Sequence, residues 1–199
     1  MIIKLIIQIM LCCLVAPPAL AADIQSSLAV VFGHEGGLQC DAGDPGNWTG
    51  GRVGLGRHGC TKYGIAANTY PNLDIRNITI AQASKLYERD FWNPIHLSEF
   101  EKQDIATEIF DTAVNCGVGV GGNIVIRLVN IFGPAHYKLN GKVNSEQVEW
   151  INKFTRKKAN RITFYRALNV LQGERYLLII ERNPKMAKYS NSWFSRVNQ

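Results

Sequence analysis

A carboxylate at the end of an amphipathic helix is the group in this sequence best placed to move a proton. Ile24, Leu28 and Val31 recur at helical spacing, and Glu35 follows on the same core-facing stripe. Gly36-Gly37 comes next, a pair that ends helices and leaves room for a ligand. Burial disfavours an ionised carboxyl, and so does the negative end of the helix dipole. Both effects push Glu35 toward the protonated form that a general acid needs at neutral pH. The bland alternative is a surface Glu at a frayed helix end. Other arrangements are weaker. Gly117, Gly119 and Gly122 spell GxGxxG, but a helix precedes them and no strand does, so a helix–helix turn is expected. Asp41, Asp44 and Asn47 lack the odd-position spacing of a calcium loop. His58 and Cys60 alone do not make a zinc site. No metal and no organic cofactor are expected.

The elements that must position these groups are mostly helical. Thr79 and Gln82 form a capping box for a helix over about 80–92, and residues 102–116 and 120–132 read as two more. Asn144 and Gln147 cap a long helical stretch to about 171. Gly173 interrupts it, and residues 174–182 end at Asn183-Pro184. Residues 38–78 hold most of the Gly, Pro and Asn and read as a long loop region with short extended pieces. Cys116 shares a stripe with Ile105, Ile109 and Ala113 and reads as a buried, inert thiol; a Cys–His nucleophile has no local signature.

The chain has 199 residues and a net charge of +6, with 46% hydrophobic and 19% charged residues. This excludes a disordered chain, a collagen-like fibre and a coiled coil. Residues 1–22, MIIKLIIQIMLCCLVAPPALAA, read as a secretory signal ending at Ala19-Leu20-Ala21. With residues 1–21 removed, three cysteines remain. Cys40 and Cys60 bracket a Gly-rich loop, and an oxidising compartment permits a disulfide there; pairing of Cys40 with Cys116 is the other option. Charge is uneven: residues 22–137 carry −4 and residues 138–199 carry +9. A basic C-terminal part that includes Lys153, Arg156, Lys157 and Arg161 suits an anionic polymer or envelope surface. A solvated helix face is the plain alternative, and an exported chain argues against nucleic acid.

Glu35-Gly36-Gly37, Asp44-Pro45-Gly46 and Thr61-Lys62-Tyr63-Gly64-Ile65 follow in an order that resembles the glycoside hydrolase family 108 muramidases. The likeness continues through Tyr87-Glu88-Arg89-Asp90-Phe91-Trp92 and Phe110-Asp111-Thr112-Ala113-Val114-Asn115. Asn140-Gly141-Lys142-Val143, Asn183-Pro184 and Trp193-Phe194-Ser195-Arg196-Val197 resemble the peptidoglycan-binding segment associated with that family. The resemblance implies a mostly α, lysozyme-like single globular unit. It implies a catalytic region over 22–137 and a helical peptidoglycan-binding region over 138–199 packed on it. It also implies cleavage of the β-1,4 bond between N-acetylmuramic acid and N-acetylglucosamine, with Glu35 as the acid.

The Glu, Asp, Thr order is similar to the triad of phage-type lysozymes, where the Asp also lies nine positions after the Glu. Here Thr61 lies 17 positions after Asp44, a longer gap that pairing of Cys40 with Cys60 would help to close. Glycoside hydrolysis usually needs a second carboxylate beside the proton donor. Asp44, in a polar loop, is expected to stay ionised, and Thr61 to hold a water; Asp-Pro-Gly is also plain turn chemistry. Trp48, Tyr63, Tyr70 and Trp92 are candidates for stacking on sugars, and Asn68 and Asn115 for bonding N-acetyl groups. The expected protein is exported to the periplasm or cell wall. It acts as a monomer on peptidoglycan, with no membrane span after cleavage, and could serve a secretion or envelope machine. A lytic transglycosylase and a non-catalytic wall-binding accessory protein are the alternatives.

Overall fold

The computed structural model describes residues 21–34 and 37–197. Glu35, Gly36 and nearly all of the signal segment lie outside the described residues. Helix α1 spans Ile24–His34. Its Asp23 carboxylate accepts from the backbone N–H of Gln25 and Ser26 at 3.2 and 2.9 Å, which satisfies donors a helix start leaves open. Leu28 and Val31 are buried, as the stripe predicts. Helix α3, Gln103–Cys116, lies parallel to α1. The register is set by Ala22 N–H to the Phe100 carbonyl (2.8 Å), Asp23 N–H to Gln103 Oε1 (2.7 Å) and the Ser27–Thr107 hydroxyl pair (2.8 Å).

Helix α2, Ile80–Tyr87, begins in the predicted capping box of Thr79 and Gln82 and runs into a π-helical turn over Glu88–Trp92. That turn re-aims the chain so that Trp92 packs edge-on against Phe110 of α3, with centroids 5.4 Å apart. Helix α4, Val118–Phe132, starts directly after Gly117, whose φ of +94° makes the abrupt α3–α4 turn that the glycine pattern suggested. Gly122 lets α4 touch the 139–142 turn, since a Cβ there would lie 2.1 Å from the Gly141 carbonyl oxygen.

The C-terminal helices differ from the sequence reading in two places. The stretch after Asn144 is two helices, α5 Ser145–Thr155 and α6 Lys158–Arg182, because the chain turns extended at Lys157. Gly173 does not interrupt α6. It lies buried in mid-helix, where Phe194 and Val197 come within 3.7 Å of the position of a Cβ. A short α7, Ser190–Phe194, returns along α6 and stacks Trp193 on Tyr176 at 5.3 Å. Arg196, just beyond, reaches back to Asp111 of α3 at 2.7 Å, with both side chains under one-tenth exposed. The result is a mostly helical, lysozyme-like unit, with a two-stranded antiparallel sheet of β1 (Thr61–Lys62) and β2 (Ile65–Ala66) beside it.

Candidate active site

The loop between α1 and α2 is folded by short-range chemistry. Tyr63 and Gly64, with φ of +52° and +72°, form the two-residue turn of the β1–β2 hairpin. Positive φ at both central positions matches the turn to the strand twist. The hairpin places Thr61 on a strand whose outer neighbour is Gln39. The two residues exchange backbone hydrogen bonds of 2.9 and 2.8 Å. The Cys40–Cys60 disulfide, with Cα atoms 4.2 Å apart, fastens this pairing from the adjacent positions. Cys116 is free and half-buried, and burial pushes its thiol up to about 11, as an inert thiol requires.

Asp44 caps the turn Pro45–Asn47, accepting from the Gly46 N–H at 2.8 Å through Oδ1. Its other oxygen accepts from Gln39 Nε2 at 2.7 Å. Asn47, wholly buried, donates from Nδ2 to Gln39 Oε1 (2.7 Å) and to the Asp41 carbonyl (2.9 Å). Thr61 Oγ1 donates to Asn47 Oδ1 at 2.9 Å. Asp44 and Thr61, 17 positions apart in sequence, are therefore joined by three consecutive side-chain hydrogen bonds. Gln39 and Asn47 were not singled out as site residues in the sequence. Their signal is positional: Gln39 and Thr61 each adjoin one half-cystine, so pairing Cys40 with Cys60 sets them face to face.

The six residues proposed for sugar contact have different surroundings. Trp48 is half-buried, donates from Nε1 to the Ala42 carbonyl (2.9 Å) and lies 5.0 Å from the His58 ring. Tyr63 lies 6.1 Å from Phe32 and beneath the Lys62 ammonium. Asn68 is exposed, and its N–H binds the Gly46 carbonyl at 3.0 Å. The Tyr70 hydroxyl donates to Asp90 at 2.7 Å; burial, then this bond, holds its pKa above the ordinary value. Tyr70 lines a cavity of about 350 Å³ with Thr49, Arg57, His58 and Arg76. Trp92 must be corrected: it is 1% exposed and donates to Ser98 at 2.7 Å, so it is a core residue that no sugar ring reaches here. Asn115 bonds back to the Asp111 carbonyl at 3.1 Å, near the end of α3.

A second polar cluster sits between α3 and α6. Glu108 is 5% exposed, and burial, then the Asp111 carboxylate, pushes it up to about 8. Gln172 Nε2 and Arg196 both donate to Asp111. Among the described residues no three His, Cys, Asp or Glu side chains converge as a metal site would require.

Residues 28–117 match the family model of Glycosyl hydrolase 108. This segment belongs to that family. It contains Gln39, Asp44, Asn47 and Thr61 and ends at the α3–α4 turn. The fold is similar to that of SagA from Brucella abortus, at 16% identity and a TM-score of 0.61 over 87% of this chain and 88% of that one. No curated protein matches the chain. The glycosyl hydrolase segment thus carries the whole hydrogen-bonded loop. The SagA likeness in fold covers more of the chain than the family segment does.

Proposed function

We propose that this chain is an exported peptidoglycan hydrolase that cleaves the β-1,4 bond between N-acetylmuramic acid and N-acetylglucosamine. The observation that carries the reading is the linkage of Asp44 to Thr61 within the glycosyl hydrolase 108 segment. Glu35, which follows the Ile24, Leu28 and Val31 stripe in the sequence, gives its proton to the glycosidic oxygen as the bond to the sugar's anomeric carbon breaks. Asp44 faces the positive charge that develops on the sugar and takes the proton of the attacking water, and Thr61 holds that water. The gain of Glu35's proton by the leaving sugar and the loss of water's proton to Asp44 keep the proton balance. Trp48, Tyr63, Asn68, Tyr70 and Asn115 are the sugar contacts proposed from the sequence.

Residues 138–199 hold the enzyme to the anionic wall in this reading. Two of the four basic residues first named are engaged within the protein: Arg156 binds Glu101 at 2.8 Å and Arg161 binds Asp104 at 2.8 Å. The attraction therefore falls to exposed cations such as Lys157, Lys158, Arg166, Lys185 and Lys188. The disulfide supports an oxidising, extracytoplasmic site of action, and local wall opening for an envelope machine is the role that follows. Digestion of purified peptidoglycan tests the reading. Products ending in reducing muramic acid are expected. Anhydro-muramic ends would replace the hydrolase with a transglycosylase, and binding without cleavage would replace the enzyme with an accessory protein.

A further inference from the structure

We infer that Gln39 and Asn47 are positioning residues that lock Asp44 and Thr61 into one unit and fix which way the Thr61 hydroxyl points its proton. The inference rests on the proposed roles of Asp44 and Thr61. An ionised carboxylate only accepts hydrogen bonds. Gln39 must therefore present Nε2 to Asp44, and so turns Oε1 toward Asn47. The Asp41 N–H, which only donates, binds that same Oε1 at 3.0 Å and fixes the amide independently. Asn47 must then present Nδ2 to Gln39, and the Asp41 carbonyl, which only accepts, demands the same orientation. This leaves Asn47 Oδ1 facing Thr61, whose single hydroxyl proton is committed to it.

What Thr61 offers to a substrate or water is consequently a lone pair and not a proton. That is the polarity an attacking water needs: one hydrogen directed to a carboxylate, the other to Thr61, and an oxygen lone pair left for carbon. A Thr with a free rotor would spend part of its time donating to the water's oxygen, which would block that lone pair. The two amides thereby join Asp44 to a hydroxyl it does not bond. Burial of Asn47 and the adjacent disulfide keep water from breaking the chain.

The test is a double-mutant cycle between Gln39→Met and Thr61→Val, measured on solubilised glycan strands, with melting temperatures recorded for every variant. Each single change is expected to lower kcat by about tenfold or more with KM within about twofold. The double variant is expected to fall little below the worse single one, because each change breaks the same unit. Thr61→Ser keeps the hydroxyl and is expected to retain activity. Asn47→Asp, which keeps the acceptor for Thr61 but loses both donors, should behave like Gln39→Met. If Gln39→Met melts below the assay temperature, Gln39→Glu takes its place in the cycle. Multiplying losses, or a rise in KM with unchanged kcat, would overturn the inference. Full activity in Asp44→Asn would instead overturn the catalytic reading beneath it. Loss in Asp44→Asn with wild-type rates in Gln39→Met would sink the positioning role alone.

Discussion

Glu108 shows how one residue's surroundings can govern the pH response of the protein. It sits in the α3–α6 interior beside Asp111, and burial holds it near 8. An unfolded Glu titrates near 4.3. Between these values the folded state keeps a proton that the unfolded state has released. The Glu108 contribution is therefore fully present below about pH 4 and is lost as pH rises through about 8. Glu108→Gln, a neutral isostere, should melt at the same temperature as the native protein at pH 4 and higher than it at pH 8. Thermal melts across that range check this, and equal pH slopes for the two proteins would refute it. Gln39 and Asn47 make the opposite case: neutral amides whose weight comes from the order of their hydrogen bonds. Their value was hidden in the sequence because an amide has no pattern of its own. Glu35 stood out because it follows a helical stripe.

The elements were legible wherever a local rule decides them. Both capping boxes, at Thr79 with Gln82 and at Asn144 with Gln147, are formed, and the α1 stripe buries Leu28 and Val31. The Gly117 turn and the stop at Asn183-Pro184 also follow from local backbone preference. The misread elements were decided by distant packing. Gly173 stays helical because Phe194 and Val197 cover it, and Trp92 is core because the π-turn swings it onto Phe110. The loop containing Asp44 depends on a covalent tie, since the Gln39–Thr61 pairing is a single bridge. Replacing Cys40 and Cys60 by Ala frees a loop of 20-residue separation. It should cost about 3 kcal/mol in the chain-entropy view. Activity should fall further than the folded fraction, because the paired edge that carries Thr61 loosens. Unfolding curves beside rates measured well below the melting temperature separate the two effects. Rates that track the folded fraction would show that the tie serves stability alone.

At the scale of the molecule, the C-terminal segment packs on the hydrolase segment, and a buried ion pair lies at that contact. Arg196 reaches Asp111, which Gln172 of α6 also binds, so α3, α6 and the chain beyond α7 meet at one carboxylate. Removing one partner of a buried pair leaves an uncompensated charge and costs about 3–5 kcal/mol. Arg196→Met should lose stability on that scale, and the double change Arg196→Met with Asp111→Leu should recover much of it. Denaturant melts read both, and an undisturbed Arg196→Met protein would mean that this ion pair contributes nothing to stability. In the proposed reading region 138–199 holds the wall, and its packing makes it part of the same body as the hydrolase segment. The central claim is that this body cuts glycan strands with Glu35 as the acid. The direct measurement is digestion of purified peptidoglycan by the native protein and by Glu35→Gln, with products identified by mass spectrometry and wall binding measured in parallel. The expected result is reducing-end muropeptides from the native protein and a loss of roughly 10² or more in rate for the variant, with binding unchanged. Equal cleavage by both proteins would contradict the account.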